Sequence, residues 1–242
     1  MKNIILLIFV TVSFSAAYGQ QDRDRAMRAF KKLAEKYRSI PYLSFDVEYS
    51  YSIDKQPGES LEKIAGSFKM NGDKFQYSLA NTQVTYNGDM SVIFYNDDSV
   101  IYLSKSSSSL MNNPVSGLDS VLNIQGYEFL VVEEGKKDII TMYSQDTSNV
   151  KKIIYEINKS SGLLEKMVQV INDSYMYEHP QQRSAGDTNS YAVISTIFSN
   201  YSTRSFDTKI FQTDKYVTKV NGKYQPVHPY QSYTVFNANP GL

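Results

Sequence analysis

No cysteine and no tryptophan occur among the 242 residues, and there are only two histidines. Without cysteine there is no disulfide framework, no Cys-ligated zinc or iron–sulfur centre, no thiol nucleophile and no lipobox cysteine. His179, in the polar run Glu178-His179-Pro180, and His228, between Val227 and Pro229, both read as surface residues. Charge of either sign is not in excess, with 25 basic and 25 acidic side chains, so nothing draws the chain globally to nucleic acid or an anionic membrane. A Gly-x-Ser-x-Gly elbow, a Walker loop, a dinucleotide fingerprint and an His-Glu-x-x-His helix are all missing. Glu133-Glu134 ahead of Gly135 reads as a solvated hairpin tip. Asp97-Asp98 reads as a turn, since its neighbours lack the spaced carboxylates of a calcium loop. Neither catalysis nor a metal or cofactor is expected. The chain has instead 20 tyrosines and 12 phenylalanines in a 41% hydrophobic composition, a β-sheet signature. Its length suits one all-β or α+β domain, or at most two small ones.

The N-terminus reads as an export signal. Lys2 supplies a positive charge, Ile4 to Phe14 is an apolar run of h-region length, and Ala17-Tyr18-Gly19 places small residues at the −3 and −1 positions. The expectation is a signal peptide over 1–19, cleaved after Gly19, and an exported domain over 20–242. Secretion without cysteine favours a bacterial envelope.

Asp22 to Ser39 predicts an amphipathic helix. Ala26, Met27, Phe30, Leu33, Ala34 and Tyr37 recur at helical spacing, with Arg and Lys on the opposite face. Ile40-Pro41 stops it. Period two then takes over. Leu43, Phe45, Val47, Tyr49, Tyr51 and Ile53 alternate with polar residues along one long strand. Further strands are expected at Leu61–Met70, Phe75–Leu79, Val84–Tyr86, Val92–Tyr95 and Val100–Leu103. Asn71-Gly72 and Asn87-Gly88 are read as type I′ hairpin turns. Ser104 to Gly117 reads as a loop and Val115–Leu122 as a short helix. Strands resume at Tyr127–Val132, Ile139–Tyr143, Ile153–Ile157, Leu164–Ile171 and Tyr191–Tyr201. A hairpin turning at Asn221-Gly222 (Tyr216–Val220, Lys223–Val227) and an edge strand at Tyr233–Phe236 close the list.

Two short helices cannot cover the apolar face of so many strands. Either the sheet curls into a barrel or half-barrel, or the uncovered face takes a greasy ligand; the alternative is two sheets closing on each other as a sandwich.

One stretch runs Gly66-Ser67-Phe68-Lys69-Met70-Asn71-Gly72-Asp73-Lys74-Phe75-Gln76-Tyr77, followed by Gln83-Val84-Thr85-Tyr86-Asn87-Gly88-Asp89-Met90-Ser91-Val92-Ile93-Phe94-Tyr95-Asn96. It resembles the outer-membrane lipoprotein carrier family, of LolA/LolB type. Ile153–Ile157 with Ser161-Gly162-Leu163 is similar to a hairpin in the second half of that family's sheet. Ser199–Tyr201, Phe206-Asp207 and Ile210-Phe211 are similar to its last strand and exit. The resemblance spans residues 25 to 215. It implies an α+β, mostly β fold: a curved antiparallel half-barrel of about eleven strands, covered by the N-terminal helix and a short lid helix. Residues 216–238 would then be a C-terminal hairpin extension. The family's basic residue and proline ahead of the third-strand Phe are replaced here by Met70-Asn71-Gly72-Asp73, and Tyr77 stands where an aromatic wall is expected.

What the resemblance implies is a non-enzymatic periplasmic carrier that shelters acyl chains of lipoproteins or other lipids. Its partners would be an inner-membrane donor and an outer-membrane acceptor. The candidate cavity walls are Met27, Phe30 and Leu33 from the helix, Phe45, Val47, Tyr49, Phe68, Phe75, Tyr77, Ile93 and Tyr95 from the strands, and Leu118 and Leu122 from the lid. The alternative is an envelope adaptor or lipid-responsive sensor that binds a protein partner.

Overall fold

A computed structural model describes residues 2–53, 62–105, 125–145, 149–172 and 191–238, with side chains from Gln20 onward except that of Ile53. The expected lid helix with Leu118 and Leu122, the expected loop from residue 106 onward, and His179 lie outside the described residues. The chain is α+β and mostly β. Helix α1 (Lys2–Ser39) leads into β1 (Leu43–Ile53), β2 (Glu62–Asn71), β3 (Lys74–Leu79), β4 (Thr82–Tyr86), β5 (Ser91–Tyr95) and β6 (Val100–Ser104). Then come β7 (Tyr127–Glu134), β8 (Lys137–Ser144), β9 (Val150–Asn158), β10 (Leu164–Asn172) and β11 (Tyr191–Ser202). Two 3-10 turns and β12 (Val217–Val220), β13 (Lys223–Pro226) and β14 (Thr234–Asn237) follow. Among the described residues, twelve strands belong to one sheet, and β12 and β13 pair separately. Helix α1 begins well before the expected Asp22 and ends as expected at Ser39. Among the described residues no helix is long and apolar enough to cross a membrane.

The residues group into two compact units, the described parts of 1–37, 49–63 and 118–197, and those of 38–48, 64–117 and 198–242. In the first unit, β7 to β11 form an antiparallel meander. Paired residues across such a ladder share a face, so Val131, Ile140, Tyr155, Met167 and Thr196 make one row and Phe129, Met142 and Ile153 another. Ala26, Phe30, Leu33, Ala34 and Tyr37 are the buried stripe of α1, as the helical spacing requires. Phe30 meets Tyr155 edge to face with centroids 4.9 Å apart. Burial pushes the Tyr155 phenol up to about 12.

In the second unit β2 to β6 form another antiparallel meander, and β14 adds to β6 in parallel. One face carries Val92, Phe94, Ile101 and Leu103, and the C-terminal segment covers it. Tyr216 and Val217 are buried in that cluster, with Tyr224, Tyr230, Tyr233 and Val235 packed around it. Tyr216 packs edge-on against Phe94 at 5.2 Å, and its hydroxyl donates to the Ile210 carbonyl at 2.6 Å and accepts from Gln76 Nε2 at 2.9 Å. The C-terminal hairpin is therefore part of this unit's core.

Two hairpin turns differ from expectation. Asn71 pairs with Lys74, so the loop residues are Gly72-Asp73, and only Gly72 has positive φ. That is the pattern of a turn with glycine at its first central position. The Asn71 amide donates to the Pro41 carbonyl at 2.8 Å, which keeps Asn71 in its strand. Asn87-Gly88 lies in a four-residue loop, where Asn87 Oδ1 accepts from the amides of Asp89 and Met90; an Asx turn replaces the two-residue one. Asn221 and Gly222 both have positive φ, as type I′ requires.

Gly66 is required for packing. A Cβ there would lie 2.3 Å from the Ser78 carbonyl oxygen and 3.2 Å from Val47 Cγ2. Gly66→Ala is expected to destabilise the protein by about 1–3 kcal/mol, the usual range for overpacking; an unchanged thermal midpoint would contradict this close approach. Tyr216→Phe, which removes a buried hydroxyl and takes its donor from the Ile210 carbonyl, is expected to cost about 1–3 kcal/mol in denaturant unfolding.

Candidate functional site

The register of β2 to β6 and β14 assembles a row of rings on the face opposite Phe94. Phe68 pairs with Tyr77, Phe75 with Tyr86, and Val84 with Ile93. Ile93 pairs in turn with Tyr102, and Tyr102 with Phe236. Rings stack along it, Phe45 on Phe68 at 5.1 Å, Phe68 on Phe75 at 5.8 Å and Phe68 on Tyr77 at 6.1 Å. Alternation along β1 and the contact of Val47 with the Gly66 position put Val47 on the same face. The row divides by exposure. Phe45, Phe68 and Phe75 are buried, and Val47, Tyr77 and Ile93 are half-buried. Tyr95, Tyr102 and Phe236 are 41%, 39% and 46% exposed yet touch one another, Tyr95 edge-on to Tyr102 at 5.8 Å and Tyr102 stacked on Phe236 at 5.2 Å.

Of the residues singled out in the sequence, Phe45, Val47, Phe68, Phe75, Tyr77, Ile93 and Tyr95 thus share one face of the second unit. Met27, Phe30, Leu33 and Tyr49 belong to the first, where Phe30 and Leu33 are core and Met27 and Tyr49 are half-buried. Sequence reasoning missed Tyr102 and Phe236. Tyr102 is legible once β6 is in antiparallel register with β5. Phe236 is not, because its position depends on a parallel pairing between strands 134 residues apart in sequence.

The first unit holds a different feature, a cleft of about 360 Å³ between α1 and the ends of β7, β8 and β9. Ala29, Leu33, Val131 and Ile157 form its apolar lining. Around them Glu133 accepts from Arg25 Nη2 at 3.2 Å and from Lys159 Nζ at 2.6 Å. Arg25 also donates to the Val131 carbonyl and to Asp22, and Lys159 lies 3.6 Å from Asp138. The Lys159 ammonium bonded to Glu133, helped by Arg25, holds the Glu133 carboxyl below the usual carboxylate range. The same partner holds the Lys159 ammonium above its ordinary value. Among the described residues no three His, Cys, Asp or Glu side chains are grouped to hold a metal ion.

No family model matches the chain, and no curated protein matches it. Solved structures similar to it include lipoprotein LppX from Mycobacterium tuberculosis, at 13% identity over 75% of this chain and 96% of that one, TM-score 0.38. A LolA superfamily protein from Nitrosomonas europaea is 12% identical over 76% and 97%, TM-score 0.34. An outer membrane lipoprotein-sorting protein domain from Vibrio parahaemolyticus is 9% identical over 79% and 98%, TM-score 0.34. At these identities and scores the functional reading stands on this chain's own residues.

The pH dependence of the Glu133 network follows from the depressed carboxyl. Its stabilisation is present above the unfolded pKa, about 4.3, and is lost as pH falls through the lower folded value. Glu133→Gln is expected to lower the thermal midpoint at pH 7 and to have no effect once pH is below that folded value. An equal cost at both pH values would refute the ion-pair assignment.

Proposed function

We propose that this protein is a non-enzymatic lipid carrier of the bacterial envelope, exported with cleavage after Gly19, and that the aromatic face of β2 to β6 and β14 shelters an acyl chain. The reading draws its support from one observation: a ring row that starts in the core at Phe45 and Phe68 and ends in solvent at Tyr95, Tyr102 and Phe236. Isolated exposed rings are ordinary, but contiguous ones that continue a buried row mark a surface built to be covered.

The energetics suit such an occupant. Exposing an acyl chain to water costs about 0.8 kcal/mol per CH₂, on the order of 12 kcal/mol for a sixteen-carbon chain. Burying apolar area at roughly 25 cal/mol per Å² offsets this only over several hundred Å². The contiguous exposed rings of Tyr95, Tyr102 and Phe236 supply part of that area in a way that scattered surface residues do not. Phe45, Val47, Phe68, Phe75, Tyr77, Ile93 and Tyr95 are the proposed walls, joined by Tyr102 and Phe236; the acyl chain of a lipoprotein or another lipid is the proposed guest.

Protein purified from a bacterial envelope is expected to release fatty acid or phospholipid on extraction, seen by native mass spectrometry, and to bind a fluorescent acyl probe. Tyr95→Asp combined with Tyr102→Asp should weaken the probe by about tenfold or more, since a charge in an apolar site is strongly penalised, while leaving the thermal midpoint nearly unchanged. Clean extracts with no probe binding would refute the carrier reading. A protein partner captured by such lipid-free protein would put the adaptor reading in its place.

A further inference from the structure

The cleft between α1 and the ends of β7 to β9 has more positive charge than its own carboxylates neutralise. Its lining includes four cations, Arg25, Arg28, Lys32 and Lys159, against two carboxylates, Glu133 and Asp138. The two halves of this set are not equivalent. Arg25 and Lys159 are committed to Glu133, Asp22 and Asp138. Among the described residues, Arg28 and Lys32 have no ion-pair or hydrogen-bond partner. They stand four residues apart on α1, so one helical turn stacks them on the same side of the helix. Two like charges so placed repel each other, and no carboxylate among the described residues pairs with either of them.

We infer that this cleft is a binding site for a phosphomonoester, with Arg28 and Lys32 as its ligating cations. Arg28 and Lys32 together carry +2, and a phosphomonoester carries about −1.5 to −2 near neutral pH, with three acceptor oxygens. Arg28 offers a planar fork suited to two of those oxygens, and Lys32 a compact charge for the third. The committed pairs fix the walls: Glu133 ties Arg25 of α1 and Lys159 of the β9–β10 turn to the end of β7. Asn158 holds that turn by accepting from the amides of Ser160 and Ser161 and donating to Glu165. A volume of about 360 Å³ lies at the small end of ligand pockets. It accommodates the anion together with a short organic group against Ala29 and Leu33. The same chemistry is offered by the headgroup of an anionic lipid and by a soluble phosphorylated metabolite. The inference does not rest on the acyl-chain reading, since it uses only residues of the first unit.

The test is isothermal titration of the full chain with inorganic phosphate and with glycerol phosphate, and flotation with phosphatidylcholine vesicles with or without phosphatidic acid. Each is repeated on the double variant Arg28→Gln/Lys32→Gln. A control, Lys31→Gln/Lys223→Gln, removes the same net charge at exposed positions outside the cleft. All four positions are exposed, so both variants should fold, checked by circular dichroism. Binding of a soluble phosphomonoester, weakened about tenfold or more in the cleft variant and little in the control, supports a soluble ligand. Binding only to vesicles containing phosphatidic acid, with the same pattern of loss, supports a lipid headgroup. No binding in any arm, or equal weakening in both variants, overturns the proposal.

Discussion

A β-strand has two faces, and the residues that pair across a ladder share one; most of this molecule's organisation follows from that constraint. In the second unit, β4 and β5 place apolar or aromatic residues on both sides, Val84, Tyr86 and Ile93 on one, Val92 and Phe94 on the other. A strand of this kind needs cover on both faces. The C-terminal segment supplies it on the Phe94 side, with Tyr216 and Val217 inserted into the cluster and Tyr230 and Tyr233 packed on its edge. A buried hydroxyl network through Gln76, Thr85 and Tyr216 fixes the placement of that cover, because each member would be costly if left unpaired. On the opposite side the rings stack on one another, and the row thins out into solvent.

Much of this was legible in the sequence. The eleven-residue alternation from Leu43 to Ile53 became a strand with the same ends, and the stripe of Ala26, Phe30, Leu33, Ala34 and Tyr37 became the buried side of α1. These signals are periodic and local, and burial selects the face they define. Turn chemistry was less transferable. The dipeptide rule placed Asn71 in its turn, whereas a side-chain bond to Pro41, thirty residues away, holds it in the strand. The extent of the ring row was hidden for a similar reason. Tyr102 and Phe236 join it through register, and the parallel pairing of β14 with β6 leaves no mark in local composition.

Charge followed another logic. The cations of α1 read in sequence as a solvated helix face, and several are that. The structure separates them by what the neighbouring strands bring near. Glu133, on a strand more than a hundred residues later, engages Arg25, and the β9–β10 turn adds Lys159 to the same carboxylate. Only against that arrangement do Arg28 and Lys32 stand out as cations with no counter-charge among the described residues. Helical periodicity predicts which residues face out; it does not predict which of them find a partner there.

The chemistry of the exposed rings bears on release as well as capture. A face made only of Phe would bind an acyl chain firmly and, when empty, pair with another copy of itself. Tyr95 and Tyr102 give the row apolar area together with a hydroxyl that water can hydrate, so the empty state is less costly than area alone suggests. The strand carrying Phe236 is only four residues long and sits in parallel against β6, and a short edge strand is one way in which sheets avoid adding further strands end to end. On the carrier reading, a guest competes with water for a half-wettable surface and is held by area without being sealed in. A substitution series that replaces these tyrosines with phenylalanine should therefore tighten acyl binding, slow release and raise self-association together, because all three depend on the same hydration of the ring edges.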